Sequence, residues 1–481
     1  MIALTAADLA ALVAGTLTGP VDPGTPVSGP VVVDSRLVEP GGVFVALRGE
    51  HLDGHDYAGA AVEAGARVVL TERALADDSG ALPCLVVTDV GAALGALAHG
   101  VLARLRGRDA DAGGSRTPAP KVVGVTGSVG KTTTKDLLAQ LLSADAPTVA
   151  AVESFNNPIG LPLTVLRADA ATQYLVLEMG ASGVGHIAEL TRIASPDVAV
   201  VLAVGHAHLA GFGGIDAVAR TKAEIVRGLA PHGVAVLNAD DPRVAEMAWI
   251  APGRVVTFGR SRTADVRARD ESVDRAGRAS FTLATSSAAA PVRLRLVGDH
   301  HVTNALAAAA VALELGVAIT DVAARLSEAE PLSAHRMHVL DRADGVTVID
   351  DAYNANPDSM RAALRALGTI AGRDRRSVAV LGEMLELGAE SRQEHAEIGH
   401  LLVDLDIGLA VVVGAGAGAI ADGVIDGSPW GGALHRVEDV AAARLLLREE
   451  LRPGDVVLVK SSHGAGLWRL ADELVAAEDP A

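Results

Sequence analysis

The sequence predicts an α/β protein of three domains, with a mostly parallel sheet in the central domain and a doubly wound, Rossmann-like sheet in the C-terminal domain. Its 481 residues exceed what a single hydrophobic core usually holds. Short apolar runs alternate with helical stretches from Lys121 onward and again from Pro331, which is typical of parallel sheets covered by helices. A polar stretch at 107–120, rich in Gly, Pro and Asp, has the composition of a linker. The expected domains are 1–118, 119–330 and 331–481.

The N-terminal domain is expected to be a small α/β unit. Thr5 precedes an amphipathic stretch and is the expected cap of a first helix, and Asp8 within this stretch argues against a signal peptide. Helical segments such as 59–66 separate short β-branched runs. The expected strands begin at Val31, Val43, Arg67 and Leu85.

The central domain is expected to continue the strand-loop-helix pattern. Apolar runs separated mostly by helical stretches should form its parallel sheet. Residues 263–296 are strand-like but more polar, and we expect an antiparallel appendage there. The Ala-rich stretch 301–315 should be a helix that returns to the core. After the first strand, the expected strands begin at Tyr174, Val198, Val234 and Arg254.

The C-terminal domain is expected to collect ligands at the carboxyl ends of its strands, as doubly wound sheets do. Four polar residues come at such ends and are candidate ligand contacts: Asp350, Asp351, Glu383 and Lys460. The expected strands begin at Val346, Ser377, Leu409 and Asp455, with helices at 357–367, 390–405 and 439–450.

Charge and composition argue against several classes of partner. The formal net charge of −18 disfavours nucleic acid and anionic membrane surfaces, because both need a cationic face. No run approaches the ~18 uncharged apolar residues of a membrane span, so no membrane insertion is expected. The single Cys84 excludes an intramolecular disulfide and fits a reducing compartment. We expect a cytoplasmic protein, and nothing in the sequence demands more than a monomer.

The stretch 121–135 has the order of a phosphate-binding loop, namely a strand, a glycine-rich turn and a helix. Backbone N–H groups and a helix N-terminus attract phosphate, Lys131 can reach the outer phosphates, and the Thr132 hydroxyl can join a Mg²⁺ shell. The strict pattern needs a glycine where Val125 stands, so this is a variant P-loop. The predicted nucleotide-binding residues here are Gly127, Ser128, Gly130, Lys131, Thr132 and Thr133.

Polar residues at two strand ends are candidate metal ligands. Glu178 directly follows one apolar run, and His208 follows another. With Thr132 they could surround divalent ions that bridge ATP phosphates, because Mg²⁺ takes few protein ligands beside phosphate and water. Lys222 lies on a predicted helix, where spacing alone favours a solvent-exposed side chain.

The loop that follows Asp350 is denser in polar groups than a turn requires. Asp351, Tyr353, Asn354 and Asn356 follow it before the helix that Pro357 opens. This composition favours ligand contact over the alternative, a mere capping turn.

Motifs over nearly the whole chain resemble, in order and mutual spacing, those of the Mur ligase family. They are TGSVGKTTTK (126–135), SFNNPIGLPLTVL (154–166), LEMGAS (177–182), AHLAGFG (207–213), KAEI (222–225), VGDHHVTNALAAAAVA (297–312), HRM (335–337), DDAYNANPDSM (350–360) and LGEMLELGAES (381–391). Within the family, DDAYNANPDSM and GEMLELG resemble the members that add D-alanyl-D-alanine to UDP-N-acetylmuramoyl-tripeptide. The sequence lacks the D-N-P-R signature of the preceding ligase of that pathway.

The resemblance implies an ATP-dependent amide ligase of peptidoglycan precursor synthesis. The N-terminal domain would hold the UDP end of the substrate, the central domain ATP, and the C-terminal domain the incoming amine. ATP would phosphorylate the terminal carboxylate of the tripeptide. The amine of D-alanyl-D-alanine would then attack this acyl phosphate, and phosphate would leave.

The resemblance also implies residue roles. Lys131, His208 and Lys222 would be catalytic, and Thr132, Glu178, His208 and Lys222 would hold two Mg²⁺ ions. Lys222 matches a lysine that the family carbamylates, which would turn the cation into a metal-binding anion and reverse its interpretation as an exposed residue. The remaining implied contacts are Asn304 with adenine, Arg336 with the phosphates, Asp350 with ribose, Ser35 and Arg36 with the uridine end, and Asn156, Asn157, Asn354 and Asn356 with the substrates.

Two positions depart from the family pattern. His463 stands where the family commonly has an arginine, and Ala210 stands where an acidic residue often follows His-Leu.

One alternative to this function is that of another member of the family, which adds a different amino acid or is of the folylpolyglutamate type. A second alternative is a P-loop protein that only binds nucleotide, against which the acid- and His-bearing strand ends argue.

Overall fold

Three sheets dominate the structure, a computed structural model that describes residues 1–49, 52–111, 118–152, 154–205, 214–427 and 429–476. The sheets have five, nine and six strands and follow one another along the chain. Each pairs most of its strands in parallel. Within the described ranges, no helix combines the length and apolarity that crossing a bilayer requires.

The N-terminal sheet is small and nearly all parallel, with one antiparallel edge strand. Its strands, in spatial order, are Thr16–Thr18, Cys84–Val86, Val68–Thr71, Val43–Val45 and Val31–Val32. Two-residue strands pair separately, Leu4–Thr5 with Pro26–Val27 and Ala76–Asp77 with Gly80–Ala81. The helices are Ala6–Val13, Ala58–Glu63 and Val90–Asp111, with 3₁₀ turns at Ser35–Leu37 and Gly54–Tyr57. The predicted Thr5 cap is confirmed, because its hydroxyl accepts from Asp8 N–H at 3.1 Å.

The expected linker at 107–120 begins too early, because helix Val90–Asp111 continues past Gly107. Apolar side chains along this helix, such as Leu102 and Leu105, are buried. Arg106 then ties it to the central unit by donating to Asp197 Oδ2 at 2.8 Å. The helix thus enters a stretch whose composition favours a loop. Residues 112–117 of the expected linker lie outside the described part of the chain.

The central sheet is parallel over most of its width and antiparallel at one edge. The predicted antiparallel segment is confirmed, but it continues the main sheet, and its first strand still pairs in parallel. In spatial order the strands are Thr148–Ala150, Tyr174–Glu178, Lys121–Thr126, Val198–Val201, Val234–Asn238, Val255–Gly259, Val266–Val273, Arg278–Ala284 and Ala289–Val297. The helices are Lys131–Ser143, Gly160–Val165, His186–Ile193, Ile215–Arg227, Pro242–Ala245, His301–Glu314 and Ile319–Glu328, with a 3₁₀ turn at Glu246–Ile250.

Helix His301–Glu314 lies in the core, as its alanine content predicts. Every residue from Ala305 to Ala312 is at most 1% exposed. Small side chains let this helix pack closely on the sheet and on helix Lys131–Ser143. The helix is therefore fixed directly behind the predicted phosphate-binding loop.

The C-terminal sheet is parallel except for its first edge strand. In spatial order its strands are His338–Asp341, Thr347–Asp350, Val456–Lys460, Ser377–Leu381, Leu409–Val413 and Ala433–Val437. The helices are Pro357–Ala371, Ser391–Asp404, Gly418–Asp426, Val440–Glu450 and Trp468–Ala476, with 3₁₀ turns at Gly388–Glu390, Ala415–Ala417 and His463–Ala465.

Two helices of this unit, Ser391–Asp404 and Gly418–Asp426, meet through glycines on both sides. A Cβ atom at Gly399 would lie 2.0 Å from Ile420 O, and one at Gly423 would lie 2.1 Å from Ala396 O. These atoms are backbone, so they cannot move aside as a flexible side chain could. The contact therefore requires glycine on both helices.

We expect Gly399→Ala to destabilise the protein by about 1–3 kcal/mol, because the methyl group must push the two helices apart. Gly368→Ala is the matched control, since a Cβ at this helical glycine meets no heavy atom within 4 Å. Its higher helix propensity should leave stability unchanged or raise it by up to about 1 kcal/mol. Thermal unfolding of the three proteins measures the difference. Equal melting temperatures for the two variants would contradict the packing argument.

Candidate active site

The phosphate-binding loop has the strand-turn-helix form that the sequence predicts. Gly130, directly before helix Lys131–Ser143, has a φ of +84°, a left-handed conformation that side chains disfavour. A Cβ at this position would also lie 2.3 Å from Asn304 Oδ1. The loop thus packs against the buried Asn304, the residue predicted to contact adenine.

Two loop side chains hold the loop in shape. Lys131 Nζ donates to Gly127 O at 2.7 Å. Ser128 Oγ accepts from Gly205 N–H at 2.8 Å and donates to Gly205 O at 3.2 Å. Burial lowers the pKa of Lys131, the Glu178 carboxylate opposes this shift, and the charge of Arg336 adds to it. A bound anion would therefore favour the charged form of Lys131.

Glu178 lies beside the loop because of strand pairing. The parallel register places it opposite Val125, at the end of the strand that enters the loop. It is 1% exposed, and its oxygens accept from Thr132 Oγ1 at 2.9 Å and from Asn156 Nδ2 at 2.7 Å. Both donors are neutral, so these bonds leave its negative charge available to a cation. The Thr132 hydroxyl and the Glu178 carboxylate are the hard oxygen donors that Mg²⁺ prefers, and this pair fits such an ion.

Arg336 approaches the loop from the segment that leads into the C-terminal sheet. Its Nη2 donates to Ser154 Oγ at 3.2 Å and to Thr132 Oγ1 at 3.4 Å. The guanidinium lies over the Tyr353 ring, 4.3 Å from the centroid. Arg336 Nε is buried and has no hydrogen-bond partner among the described residues. A partly buried guanidinium with an unbonded Nε is a site for an anion.

Lys222 is buried, which contradicts the exposed side chain that spacing alone favours. It is 6% exposed on helix Ile215–Arg227. Burial lowers its pKa well below the usual lysine range, and the nearby charge of Lys131 lowers it further. Burial and the neighbouring charge therefore both disfavour the charged form of this amine in the free protein. The helical pattern contained the signal, because Val218 and Ile225 stand one turn away on either side and are also buried.

Three of the predicted strand-end residues of the C-terminal sheet have close partners, and Asp351 and Lys460 pair with each other. Asp350 Oδ2 lies 2.7 Å from His335 Nδ1, and burial raises the pKa of this carboxyl against the opposing effect of His335. Lys460 Nζ donates to Asp351 Oδ2 at 2.5 Å and to Asn354 O at 2.9 Å. Burial lowers the pKa of Lys460, and Asp351 opposes that shift. Lys460 thereby fixes the loop that follows Asp350.

Some predicted substrate contacts also have local structural partners. Asn157 Oδ1 accepts from the N–H groups of Ile159 and Gly160 at the start of helix Gly160–Val165. Asn356 Oδ1 accepts from Ser359 N–H and caps helix Pro357–Ala371. Both side chains therefore stabilise the start of a helix. For Asn356 this is the capping role that the sequence offered as the alternative to ligand contact.

The other predicted contacts are more exposed or lie elsewhere. Asn354 is exposed, and its Oδ1 accepts from Ala355 N–H. Arg36 follows Ser35 in the N-terminal unit and pairs with Asp34 at 2.6 Å, and this bond lowers the pKa of Asp34 to about 2. His208 lies outside the described residues.

Sequence reasoning missed two residues at this site. Ser154 Oγ lies 3.1 Å from Thr132 Oγ1 and also accepts from Arg336. Ser154 begins the stretch that contains Asn156 and Asn157, and its hydroxyl is the feature of the sequence that could have identified it. His335 directly precedes Arg336. Nothing in the local sequence pattern indicates that its imidazole lies beside Asp350. The exposed His463 faces Tyr353, with ring centroids 5.3 Å apart.

The fold and the site together define an α/β protein with a P-loop, beside which lie a buried carboxylate, a buried amine and an arginine from the segment that leads into the C-terminal sheet. The chain belongs to the Mur ligase family. Models of this family match it as the Mur ligase middle domain at residues 125–312, the Mur ligase glutamate ligase domain at 335–463, and the Mur ligase family catalytic domain at 30–100. The predicted fold class and the resemblance are thereby confirmed.

Curated relatives carry a more particular name. A UDP-N-acetylmuramoyl-tripeptide--D-alanyl-D-alanine ligase from Mycobacterium tuberculosis is 48% identical over 512 aligned positions, which cover 99% of this chain and 98% of the relative. A ligase of the same name from Bacillus subtilis is 33% identical and covers 99% of both chains.

Solved structures agree with these relatives. A crystal structure of MurF from Acinetobacter baumannii matches with a TM-score of 0.85 and 33% identity, over 98% of this chain and 99% of that one. MurF from Thermotoga maritima in complex with ADP matches with a TM-score of 0.77 and 30% identity, over 94% of this chain and 97% of that one.

We expect Lys222→Met to stabilise the free protein by about 1–3 kcal/mol in buffer without bicarbonate or divalent ions, because the variant no longer buries an amine. The wild-type penalty is largest at low pH, where the unfolded lysine is charged. This penalty should shrink as the pH rises toward 10.5, the ordinary pKa of lysine, because the amine of the unfolded chain then also becomes neutral. Thermal unfolding across this pH range measures the difference in stability between the wild type and Lys222→Met. Lys121→Met, at an exposed lysine, is the control, and an equal gain there would overturn the argument.

Proposed function

We propose that this chain catalyses the ATP-dependent joining of D-alanyl-D-alanine to UDP-N-acetylmuramoyl-tripeptide. The observation that carries the proposal is the contact of Arg336, from the segment that leads into the C-terminal sheet, with Thr132 and Ser154 at the P-loop. A protein that only binds nucleotide does not need a second unit at its phosphates, whereas a ligase must bring an amine to a phosphorylated carboxylate. Relatives with this activity in their names match over almost the whole chain.

The reaction is a sequence of two transfers. An oxygen of the terminal carboxylate of the tripeptide attacks the γ-phosphorus of ATP, and ADP leaves with the electrons of the broken P–O bond. The amine of the dipeptide then attacks the acyl carbon, loses a proton, and expels phosphate as the amide forms. The task of the protein is positioning and charge stabilisation. Lys131 would bind the phosphate oxygens in place of its present acceptor, Gly127 O.

Arg336 would stabilise the same phosphate oxygens from the opposite side, since its Nε and its weak contacts leave donors available. Asn304 would contact adenine from behind the loop, and Asp350 would accept from the ribose. Ser35 and Arg36 would bind the uridine end. Asn156, Asn157, Asn354 and Asn356 would line the substrate path, with Asn157 and Asn356 using groups that capping leaves unpaired.

Mg²⁺ would be held by Thr132 and Glu178, and His208 and Lys222 would complete the set for two ions. When bound, Mg²⁺ would neutralise the charge of the phosphates during transfer. The Thr132 hydroxyl donates to Glu178 Oε2 at 2.9 Å, so the two proposed ligands already lie together.

Lys222 would act as a carbamate. Its neutral amine attacks CO₂, an N–C bond forms, and one proton is released, which leaves an anion in place of a cation. The lowered pKa of Lys222 supports this step, because only the unprotonated amine is nucleophilic. The same change removes the repulsion between Lys222 and Lys131. The domain limits at 118 and 330, the cytoplasmic location and the monomeric state are predictions that accompany the proposal.

The purified protein should release phosphate from ATP only when both UDP-N-acetylmuramoyl-tripeptide and D-alanyl-D-alanine are present. Coupled measurement of ADP and phosphate, with mass spectrometry of the UDP-linked product, tests this. Omitting either substrate and replacing the dipeptide by single amino acids are the controls. Turnover that is indifferent to D-alanyl-D-alanine would refute the proposal. Turnover with another amino acid would identify a different member of the family.

Lys222→Ala should lose activity by about 10²-fold or more, because it removes the proposed metal-binding anion. Short carboxylic acids such as acetate or propionate should partly restore it by placing a carboxylate in the vacated space. Lys121→Ala, at an exposed lysine, should retain full activity with or without these acids. Unchanged activity in Lys222→Ala would remove Lys222 from the mechanism, and loss without rescue would argue against the carbamate.

A further inference from the structure

One face of the P-loop helix Lys131–Ser143 is bonded along its length to residues 330–336, here called the connecting segment. Thr132, Asp136 and Gln140 stand four residues apart and so share one face of the helix. The connecting segment links helix Ile319–Glu328 of the central unit to strand His338–Asp341 of the C-terminal sheet. The P-loop helix and the connecting segment run in opposite directions, so the last residue of the segment lies at the start of this helix.

Gln140 binds the beginning of the segment at two points. Its Nε2 donates to Glu330 O at 3.0 Å, and its Oε1 accepts from Glu330 N–H at 3.0 Å. A side-chain amide that bonds both backbone groups of one residue fixes the position and the direction of the chain there. No other side-chain type of this length offers both a donor and an acceptor in one plane.

Asp136 binds the middle of the segment. Its Oδ2 accepts from Ser333 Oγ at 2.7 Å. Its Oδ1 pairs with Lys135 Nζ at 2.7 Å, and Lys135 Nζ also donates to Ala151 O. Asp136 is itself 8% exposed, so its carboxylate is held in one orientation toward the segment.

Arg336 is the third contact, at Thr132. The sites on the segment are three residues apart, namely Glu330, Ser333 and Arg336, while those on the helix are four apart. Eight helical residues span about 12 Å, a distance that six residues of a bent segment can cover. His335 and Met337, on either side of Arg336, have φ values of +56° and +51°, so the backbone turns sharply where the arginine projects.

Apolar packing contributes little to this attachment. Leu332, the large apolar side chain of the segment, is 59% exposed. A cavity lined by Thr133, Leu137, Leu296 and Pro331, among others, remains between the helix and the segment. The polar contacts of Asp136 and Gln140 therefore determine where the segment lies.

We propose that Asp136 and Gln140 are positioning residues, which set the register of the connecting segment along the P-loop helix and thereby place the Arg336 guanidinium at the phosphate site. The inference rests on the proposed function for the role of Arg336 toward ATP. Because the two residues belong to the helix that begins at the P-loop, the same helix positions both the phosphate-binding loop and the arginine. Neither residue is among the proposed nucleotide contacts.

A double-mutant cycle on nucleotide binding tests this inference. The affinity for adenylyl imidodiphosphate, an ATP analogue that is not hydrolysed, is measured by calorimetry with Mg²⁺ for wild type, Arg336→Ala, Gln140→Leu and the double variant. Arg336→Ala should weaken binding by about 10-fold or more, since it removes charge-assisted hydrogen bonds. Gln140→Leu should weaken it by about 5-fold. In the double variant the affinity should stay within about 2-fold of Arg336→Ala, because Gln140 acts only through the arginine.

Three comparisons sharpen the experiment. Gln140→Glu keeps the acceptor for Glu330 N–H and should lose less than Gln140→Leu. Gln393→Leu makes the same substitution on an exposed helix face and should bind like wild type. Ser333→Ala removes the hydroxyl that binds the segment to Asp136 and leaves the helix sequence unchanged. It replaces Gln140→Leu in the cycle if that variant melts below the assay temperature.

Two results would overturn the inference, namely unchanged affinity in both Gln140→Leu and Ser333→Ala, or losses that multiply in the double variant. The cycle does not depend on amide formation. If the wild-type protein makes no amide product but the cycle shows coupling, the proposed function fails and the positioning role stands. If amide forms and the cycle is multiplicative, the positioning role fails alone.

Discussion

Buried positive charge around the P-loop is the constraint on which the rest of this site depends. Lys131 and Lys222 are both desolvated, and the charge of Lys131 further disfavours protonation of Lys222. Arg336 brings a further positive charge to the same place. Among the groups that shift the pKa of Lys131, Glu178 is the anion that opposes this repulsion. The free site is thus electrostatically unsatisfied, and a polyphosphate is the kind of ligand that satisfies it.

The central and C-terminal sheets contribute to this arrangement through their strand ends. Parallel pairing brings Glu178 beside the loop, and the packed alanine helix holds Asn304 behind it. The C-terminal sheet gathers Asp350, Asp351 and Lys460 at its own carboxyl edge, from neighbouring strands. Groups far apart in the chain therefore meet because of strand order and not because of local motifs.

Much of this could be predicted from the sequence, because strand ends and glycine turns have clear local signals. The P-loop, Glu178 and the strand-end carboxylates belong to this class. Lys222 was predictable only if helix periodicity had been read together with its buried neighbours. The contacts of Ser154 with Arg336 and of His335 with Asp350 depend on how a later segment packs, which no local pattern encodes. Helix Val90–Asp111 likewise continues past Gly107 into a stretch whose composition alone favours a loop.

The pairing of Val125 with Glu178 also limits which changes of length the chain can accept. Successive side chains of a strand point to opposite faces, so one residue inserted or deleted between Tyr174 and Glu178 would turn the carboxylate to the other side of the sheet. A substitution could not repair such a shift, because the whole strand would be displaced. Length variation among relatives should therefore concentrate in connections between the sheets, whereas the count of residues from Lys121 to Thr132 and from Tyr174 to Glu178 should stay fixed.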